Sequence, residues 1–224
     1  MVRTVASPHS LAKAAAHLVN HDARLAPIIA TAGLPNIQPN KNYYEALVGS
    51  IISQQLSVKA AATILKRFVD LFSGDTFPTP SMILEVDIET LRSVGLSRQK
   101  ASYIQDLAVK VTEHSVQFDH LDGLMNEAVI AELTAIKGVG VWTVHMFLIF
   151  CMGRLDVLPI GDLGIKNGMF ALYELPEKPT PEQIKQVALQ HNWHPYESVA
   201  SWYVWHSLDN KPVTSEELTV LANR

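Results

Sequence analysis

Apolar residues recur along this chain at intervals of three and four, the spacing that gives a helix one buried stripe. Leu11 to Val19 is alanine-rich and carries this period, and Asp22 to Ala32 repeats it before stopping at Gly33, just ahead of Pro35. A glycine after the last periodic residue, with a proline beyond it, is a fitting end for a helix. Gly33 to Asn42, with prolines among asparagines and glutamine, reads as a loop. Helical spacing resumes from Tyr43 to Ile52 and again from Val58 to Phe72. Thr79-Pro80 and Thr180-Pro181 each set a capping hydroxyl before a first-turn proline, and Gln183 completes a capping box with Thr180. Ser97 is placed to cap a long helix running to about His114. Val109-Lys110-Val111-Thr112 has strand-like composition but continues that helical register. Sustained alternation is absent, so the pattern predicts an all-α fold.

Composition narrows the class. The 224 residues are 48% hydrophobic and 18% charged, which describes a globular chain with material for a large core. No apolar run approaches the roughly 18 residues of a membrane span, and the first residues lack the apolar centre of a secretory signal. The expected setting is therefore intracellular, with no membrane partner. The single cysteine, Cys151, lies in an apolar run and reads as a buried core thiol. One cysteine also excludes an iron–sulfur cluster held by four cysteines of one chain. The nine histidines show no metal-ligand spacing.

A net charge of −4 argues against nucleic acid when taken globally, less so locally. Residues 54–69 hold Lys59, Lys66 and Arg67 with no acid, and residues 91–112 hold Arg92, Arg98, Lys100 and Lys110 against Asp106 alone. Such sidedness suits one DNA-facing surface and equally suits an ordinary solvated one.

The most informative stretch is Leu133-Thr134-Ala135-Ile136-Lys137-Gly138-Val139-Gly140-Val141-Trp142-Thr143-Val144. It reads as a helix end, a glycine-bracketed turn and a second helix start. Glycines permit left-handed or closely approached backbone there. Amides opening the second helix, with the positive end of its dipole, form a ready phosphate site. An ordinary tight helix–helix turn has the same local sequence. Downstream stands Leu158-Pro159-Ile160-Gly161-Asp162-Leu163-Gly164-Ile165-Lys166, and upstream Ser53-Gln54-Gln55-Leu56-Ser57-Val58-Lys59.

These three segments, in this order and spacing, resemble the helix-hairpin-helix/Gly-Pro-Asp superfamily of DNA glycosylases, and within it the DNA-3-methyladenine glycosylase II branch. The likeness runs from about Tyr43 to Leu208. It implies two helical subdomains with a cleft between them, one of about residues 43–155, the other built from residues 1–42 packing with 156–224, in a single glycosylase domain. The lone cysteine separates the chain from relatives resembling endonuclease III.

Several roles are implied by the resemblance. Asp162 matches the family's aspartate, a carboxylate able to stabilise an oxocarbenium-like sugar; it also suits the N-cap of a helix beginning at Leu163. Trp142 occupies the place where strand-cutting members carry a lysine nucleophile. An indole cannot form a Schiff base, so the likeness is to the monofunctional branch; stacking on an extruded base and core packing are both open to Trp142. Gln54-Gln55-Leu56-Ser57 corresponds to the DNA wedge, with Leu56 the inserted side chain; a buried Leu56 is the competing reading. Lys137, Gly138, Val139, Gly140 and Thr143 would bind the DNA backbone. Trp193 and Tyr196, in an aromatic-proline segment, resemble pocket-lining residues, and Met146 stands where some relatives place an aromatic. Trp202, Tyr203 and Trp205 come next at helical spacing and read as core.

No cofactor is expected to be required. A structural Na+ or K+ on the carbonyls of Thr134, Ile136 and Val139 is implied by the family's hairpin. The expected partner is double-stranded DNA containing alkylated bases, bound by a monomer, in the nucleus of a eukaryote or the cytoplasm and nucleoid of a bacterium. The function implied is a monofunctional glycosylase releasing alkylated purines. The alternative is a damaged-DNA-binding paralogue with little or no excision.

Overall fold

A computed structural model describes residues 5–72 and 76–209. The fold is all-α, as the periodicity predicted. Its helices are α1 (Pro8–His21), α2 (Ala26–Ala32), α3 (Tyr43–Ser53), α4 (Val58–Asp70), α5 (Pro80–Leu84), α6 (Ile88–Ser93), α7 (Arg98–Thr112), α8 (Asn126–Leu133), α9 (Val141–Met146), α10 (Leu163–Leu172), α11 (Pro181–Gln190) and α12 (Glu197–Asp209). Among the described residues the β content is one isolated bridge, between Val5 and Arg154.

The caps expected at Thr79, Ser97 and Thr180 form, and Ser57 adds another. Ser57, Thr79, Ser97 and Thr180 each accept the backbone N–H three residues on, and Gln183 closes the box onto Thr180 N–H. Each such cap contributes on the order of 1 kcal/mol. Beyond α9 the helix widens to a π-turn over Phe147–Cys151, with no trace in the side-chain pattern, and Met152 N–H reaches back to Phe147 C=O at 2.9 Å. Such turns shift the register of the downstream residues and often accompany functional sites.

The chain divides into two compact units, one from the described parts of Met1–Gln38 and Arg154–Arg224, the other from Pro39–Gly153. In the second unit α7 packs against α3, α5 and α6, and α3 packs against α4 and the π-turn. Leu47, Ile51, Phe68, Leu91, Ile104 and Leu148 are fully buried there, each worth about 1.5–3 kcal/mol of apolar burial. Cys151 is buried as expected, and burial pushes its thiol up to about 12.

In the first unit α12 packs against α1, α2 and α10. Its centre holds a carboxylate. Asp22, fully buried between α1 and α2, accepts Arg24 and Leu25 N–H on Oδ1 and the Trp193 indole N–H and Tyr173 hydroxyl on Oδ2. Four donors make a buried carboxylate tolerable, since an unpaired one would be very costly. Burial raises the Tyr173 hydroxyl far beyond its ordinary range, so it remains a donor.

Candidate functional site

The hairpin is built around Gly138. Its φ of +77° lies in the left-handed region, and an ideal Cβ there would fall 2.0 Å from Tyr103 Cδ2. Only glycine satisfies both conditions. Gly140 is different: it is the N-cap of α9 with extended backbone (φ −93°, ψ 170°), and a Cβ there would meet nothing within 4 Å. The expectation that both glycines are required by the backbone holds for Gly138 alone. Val144 N–H bonds Gly140 C=O at 3.1 Å, so the amides of residues 141–143 precede the helix's own ladder.

Helix α7 supports the turn. Asp106 accepts Lys137 N–H at 2.9 Å and pairs with Lys137 Nζ at 3.2 Å. The 54–57 loop is joined to the hairpin, because Gln54 Nε2 donates to Gly138 C=O at 2.9 Å. Gln55, a non-glycine residue at φ +57°, turns the chain, and Leu56 comes next with 38% of its surface exposed. Leu56 is therefore not a core side chain.

Ser50, Ser53, Gln54, Gln55, Trp142, Thr143 and Met146 line a recess of about 460 Å3. Its lining is uncharged, combining one indole, one thioether, three hydroxyls and two amides. Trp142 is half exposed, so core packing is not its main role; Thr143 is buried. The sequence segments around 54 and 142 thus meet in space.

Asp162 is the N-cap of α10, and its Oδ1 accepts Ile165 N–H at 2.8 Å. The same oxygen accepts the Trp205 indole N–H, also at 2.8 Å. Glycines on α10 let α12 come this close. A Cβ on Gly164 would lie 2.8 Å from Trp205 Cδ1 and 3.0 Å from Asp162 Oδ1, and one on Gly168 would lie 2.5 Å from Val204 Cγ1. The carboxylate is buried and held from two elements.

A helix-hairpin-helix followed by a capped, clamped aspartate is matched by one family model over residues 48–195. The chain belongs to the HhH-GPD superfamily of base excision DNA repair proteins. Among HhH-GPD relatives, the DNA-3-methyladenine glycosylase 1 of Schizosaccharomyces pombe is 37% identical over 204 residues, 88% of this chain and 87% of that protein. The alkylbase DNA glycosidase-like protein mag2 of the same yeast is 32% identical, covering 86% of this chain and 92% of its own. The structure of the S. pombe 3-methyladenine DNA glycosylase in complex with abasic DNA superposes with a TM-score of 0.75 at 36% identity, over 86% of this chain and 95% of that one. The DNA-3-methyladenine glycosidase of Bacillus halodurans gives 0.76 at 35% identity, over 98% and 100%.

Within this HhH-GPD fold some expectations need correction. Trp193 is fully buried with its N–H on Asp22, so it is core and presents no face to a base. Tyr196 is also buried, its ring edge-on to His17 at 5.1 Å. Trp205, read as core, is only half-buried and clamps Asp162. The basic surface is more neutralised than composition suggested: Arg92 and Arg98 both pair with Glu89, and Lys66 pairs with Asp70. Exposed pairs of this kind are weak and leave the cations available to phosphates. Lys100 is half-buried, and its ammonium lies on two backbone carbonyls. Among the described residues no three His, Cys, Asp or Glu side chains cluster as a metal site, and no helix is long and apolar enough to cross a membrane.

Proposed function

We propose that the protein is a monofunctional DNA glycosylase that hydrolyses the N-glycosidic bond of alkylated purines, of the 3-methyladenine and 7-methylguanine type, and thereby starts base excision repair. The observation that carries this reading is the uncharged recess bounded by the half-exposed Trp142. An alkylated purine is cationic, and a cation over an indole face gains about 0.5–2 kcal/mol that a neutral base does not. A lysine or arginine in the lining would oppose it. The names of the relatives point to the same substrate class.

In this mechanism the Leu56 loop wedges the duplex, with Gln54, Gln55 and Ser57 against groove edges or the orphaned base. The Gly138–Gly140 turn and the amides that open α9, that of Thr143 included, hold a backbone phosphate with Lys137 beside them, while the Val139 N–H is kept in the turn by Ile136 C=O. Trp142 stacks on the extruded base and Met146 forms a softer wall. Asp162 faces the sugar. The C1′–N bond breaks with its electron pair going to the base, which leaves neutral. Developing positive charge on the sugar is stabilised by the carboxylate. Water adds its oxygen to C1′ and gives up a proton, leaving an abasic site and an intact strand. One carboxylate suffices because the leaving group already carries the positive charge.

No cofactor is required for these steps. A Na+ or K+ ion on the carbonyls of Thr134, Ile136 and Val139 is part of this reading: Ile136 C=O already accepts Val139 N–H at 3.1 Å, and a carbonyl keeps a second lone pair for a cation. The ion would fix the turn and add positive charge beside the phosphate. The protein acts as a monomer on double-stranded DNA, in the nucleus if its host is a eukaryote and in the cytoplasm and nucleoid if bacterial.

Base release from methylated duplex DNA, measured together with salt-dependent binding to the same duplex, tests the reading. Release of 3-methyladenine or 7-methylguanine is the expected result. Tight, salt-dependent binding without release would instead identify a damaged-DNA-binding paralogue.

A further inference from the structure

One stripe of α7 serves both DNA-facing segments. Lys100, Tyr103 and Asp106 stand at intervals of three, so they share a helix face. Tyr103 underlies Gly138, and Asp106 holds the Lys137 backbone. Lys100 holds the other segment. Its Nζ donates to Ile52 C=O at 2.8 Å and to Gln54 C=O at 2.6 Å.

The local need for this contact is evident. Helix α3 ends at Gln54 (φ −50°, ψ 126°) without a glycine, and the next residue, Gln55, is left-handed. A non-glycine residue in that region is held against its preference. The carbonyls at a helix C-terminus carry the negative end of the dipole and lack intrahelical donors. An ammonium placed on two of them answers both needs. The Gln54 side chain then runs on to Gly138 C=O. Backbone and side chain of one residue therefore tie Lys100 to the hairpin.

We propose that Lys100 is a positioning residue: it fixes the backbone from Ile52 to Gln55 so that Leu56 is presented in register with the hairpin, making the loop and the hairpin one DNA-reading element. The cation acts on protein carbonyls and does not touch the substrate. Burial lowers the Lys100 ammonium from its ordinary range, consistent with a group committed inward. The activity arm of the test rests on the glycosylase reading above; the unstacking arm does not.

Lys100→Met keeps the unbranched stem up to the ε position and removes the charge, and Lys100→Arg keeps a charged donor. The probes are a duplex with one 7-methylguanine and a duplex with 2-aminopurine beside an abasic-site analogue, whose fluorescence reports unstacking. With saturating enzyme, single-turnover base release by Lys100→Met should fall at least about tenfold, the order expected when a contacting group shifts by an ångström or less. The fluorescence rise should shrink with it. Affinity for undamaged duplex should change less than about threefold, because the hairpin phosphate contact is retained. Lys100→Arg should recover most of both signals. Wild-type release and unstacking in Lys100→Met would overturn the proposal. So would losses that merely track the unfolded fraction, including equal loss of undamaged-duplex binding and no recovery in Lys100→Arg. If the wild-type protein unstacks DNA but releases no base, the excision reading fails, and the fluorescence difference between wild type and Lys100→Met still decides the role of Lys100.

Discussion

Trp205 donates its indole N–H to Asp162 Oδ1 at 2.8 Å, across a space that Gly164 keeps open. The same oxygen caps α10 through Ile165 N–H. Both interactions need only an acceptor oxygen, which an asparagine side chain also supplies, and asparagine caps helices about as well as aspartate. Asp162→Asn should therefore keep both contacts while removing the negative charge. Removing one well-placed electrostatic group commonly costs on the order of 10²-fold in rate. Single-turnover release of 7-methylguanine should drop by about that factor, with binding to abasic-site DNA retained. 3-Methyladenine, which leaves more readily, should be affected less. A wild-type rate on both lesions would reduce Asp162 to a helix cap.

Asp22 is a structural counterpart without chemistry of its own. Asp22→Ala strands the buried N–H of Trp193 and the hydroxyl of Tyr173 and removes the turn between α1 and α2 from its acceptor. Hydrogen bonds to a charged partner are worth about 1.5–3 kcal/mol each, and orphaned buried donors cost more. Chemical denaturation should show a loss of about 3 kcal/mol or more. Tyr173→Phe, which gives up one bond, should cost about half as much. Equal stability of wild type and Asp22→Ala would remove this cluster from the first unit's core.

What the sequence disclosed and withheld has a physical pattern. Caps and helix ends were legible because Thr79, Ser97, Thr180 and Asp162 act on residues three positions away. The glycine turn was legible for the same local reason, though Gly138 and Gly140 proved to have different requirements. The clamp of Trp205 on Asp162 spans 43 positions, and helical spacing alone gave Trp205 to the core. The positions of Trp193 and Trp142 show the same limit: both are tryptophans beside turns, one fully buried and one half exposed. Which side an aromatic faces is decided by distant partners, here Asp22 for Trp193. The π-turn left no sign because a five-residue hydrogen bond changes backbone register without demanding a residue type.

Burial of His145 on α9 lowers its imidazole below the ordinary 6.5. Unfolded, the ring takes a proton near its ordinary value; folded, it resists. The unfolded state thus binds more protons between the two values, so stability is full above about pH 6.5 and falls as pH drops toward the folded value. Melting temperatures of wild type and His145→Leu at about pH 8 and about pH 5.5, on either side of the ordinary histidine value, should diverge. The wild type should lose more on acidification than the variant does. Parallel losses would mean that other groups carry the whole effect.

Lys100 is committed to backbone carbonyls, and Lys137 stands on the hairpin outside the residues that line the recess. With Trp142 in the recess, its lining presents no amine for attack on the sugar. Borohydride should fail to trap a covalent enzyme–DNA adduct, and products should be intact abasic strands that break only with alkali. A robust trapped adduct would require an amine nucleophile and would overturn the monofunctional assignment.

The two hairpin glycines make a matched pair for testing phosphate binding. Gly138→Ala forces a Cβ onto a left-handed residue and into the Tyr103 ring, so it should destabilise by about 1–3 kcal/mol whatever its effect on DNA. Gly140→Asp should not. Its backbone is extended, a Cβ there meets nothing, and aspartate is a favoured N-cap for α9. Thermal melts should match wild type or exceed it slightly. The new carboxylate nevertheless stands beside the amides assigned to the phosphate and competes for them. Affinity for damaged and undamaged duplex alike should fall by about tenfold, the scale of removing one charge-assisted hydrogen bond. Salt titration should show a slope shallower by about one phosphate contact. Loss confined to the lesion-bearing duplex would place the effect in base capture rather than in the hairpin, and unchanged binding to both would remove the hairpin amides from the DNA interface.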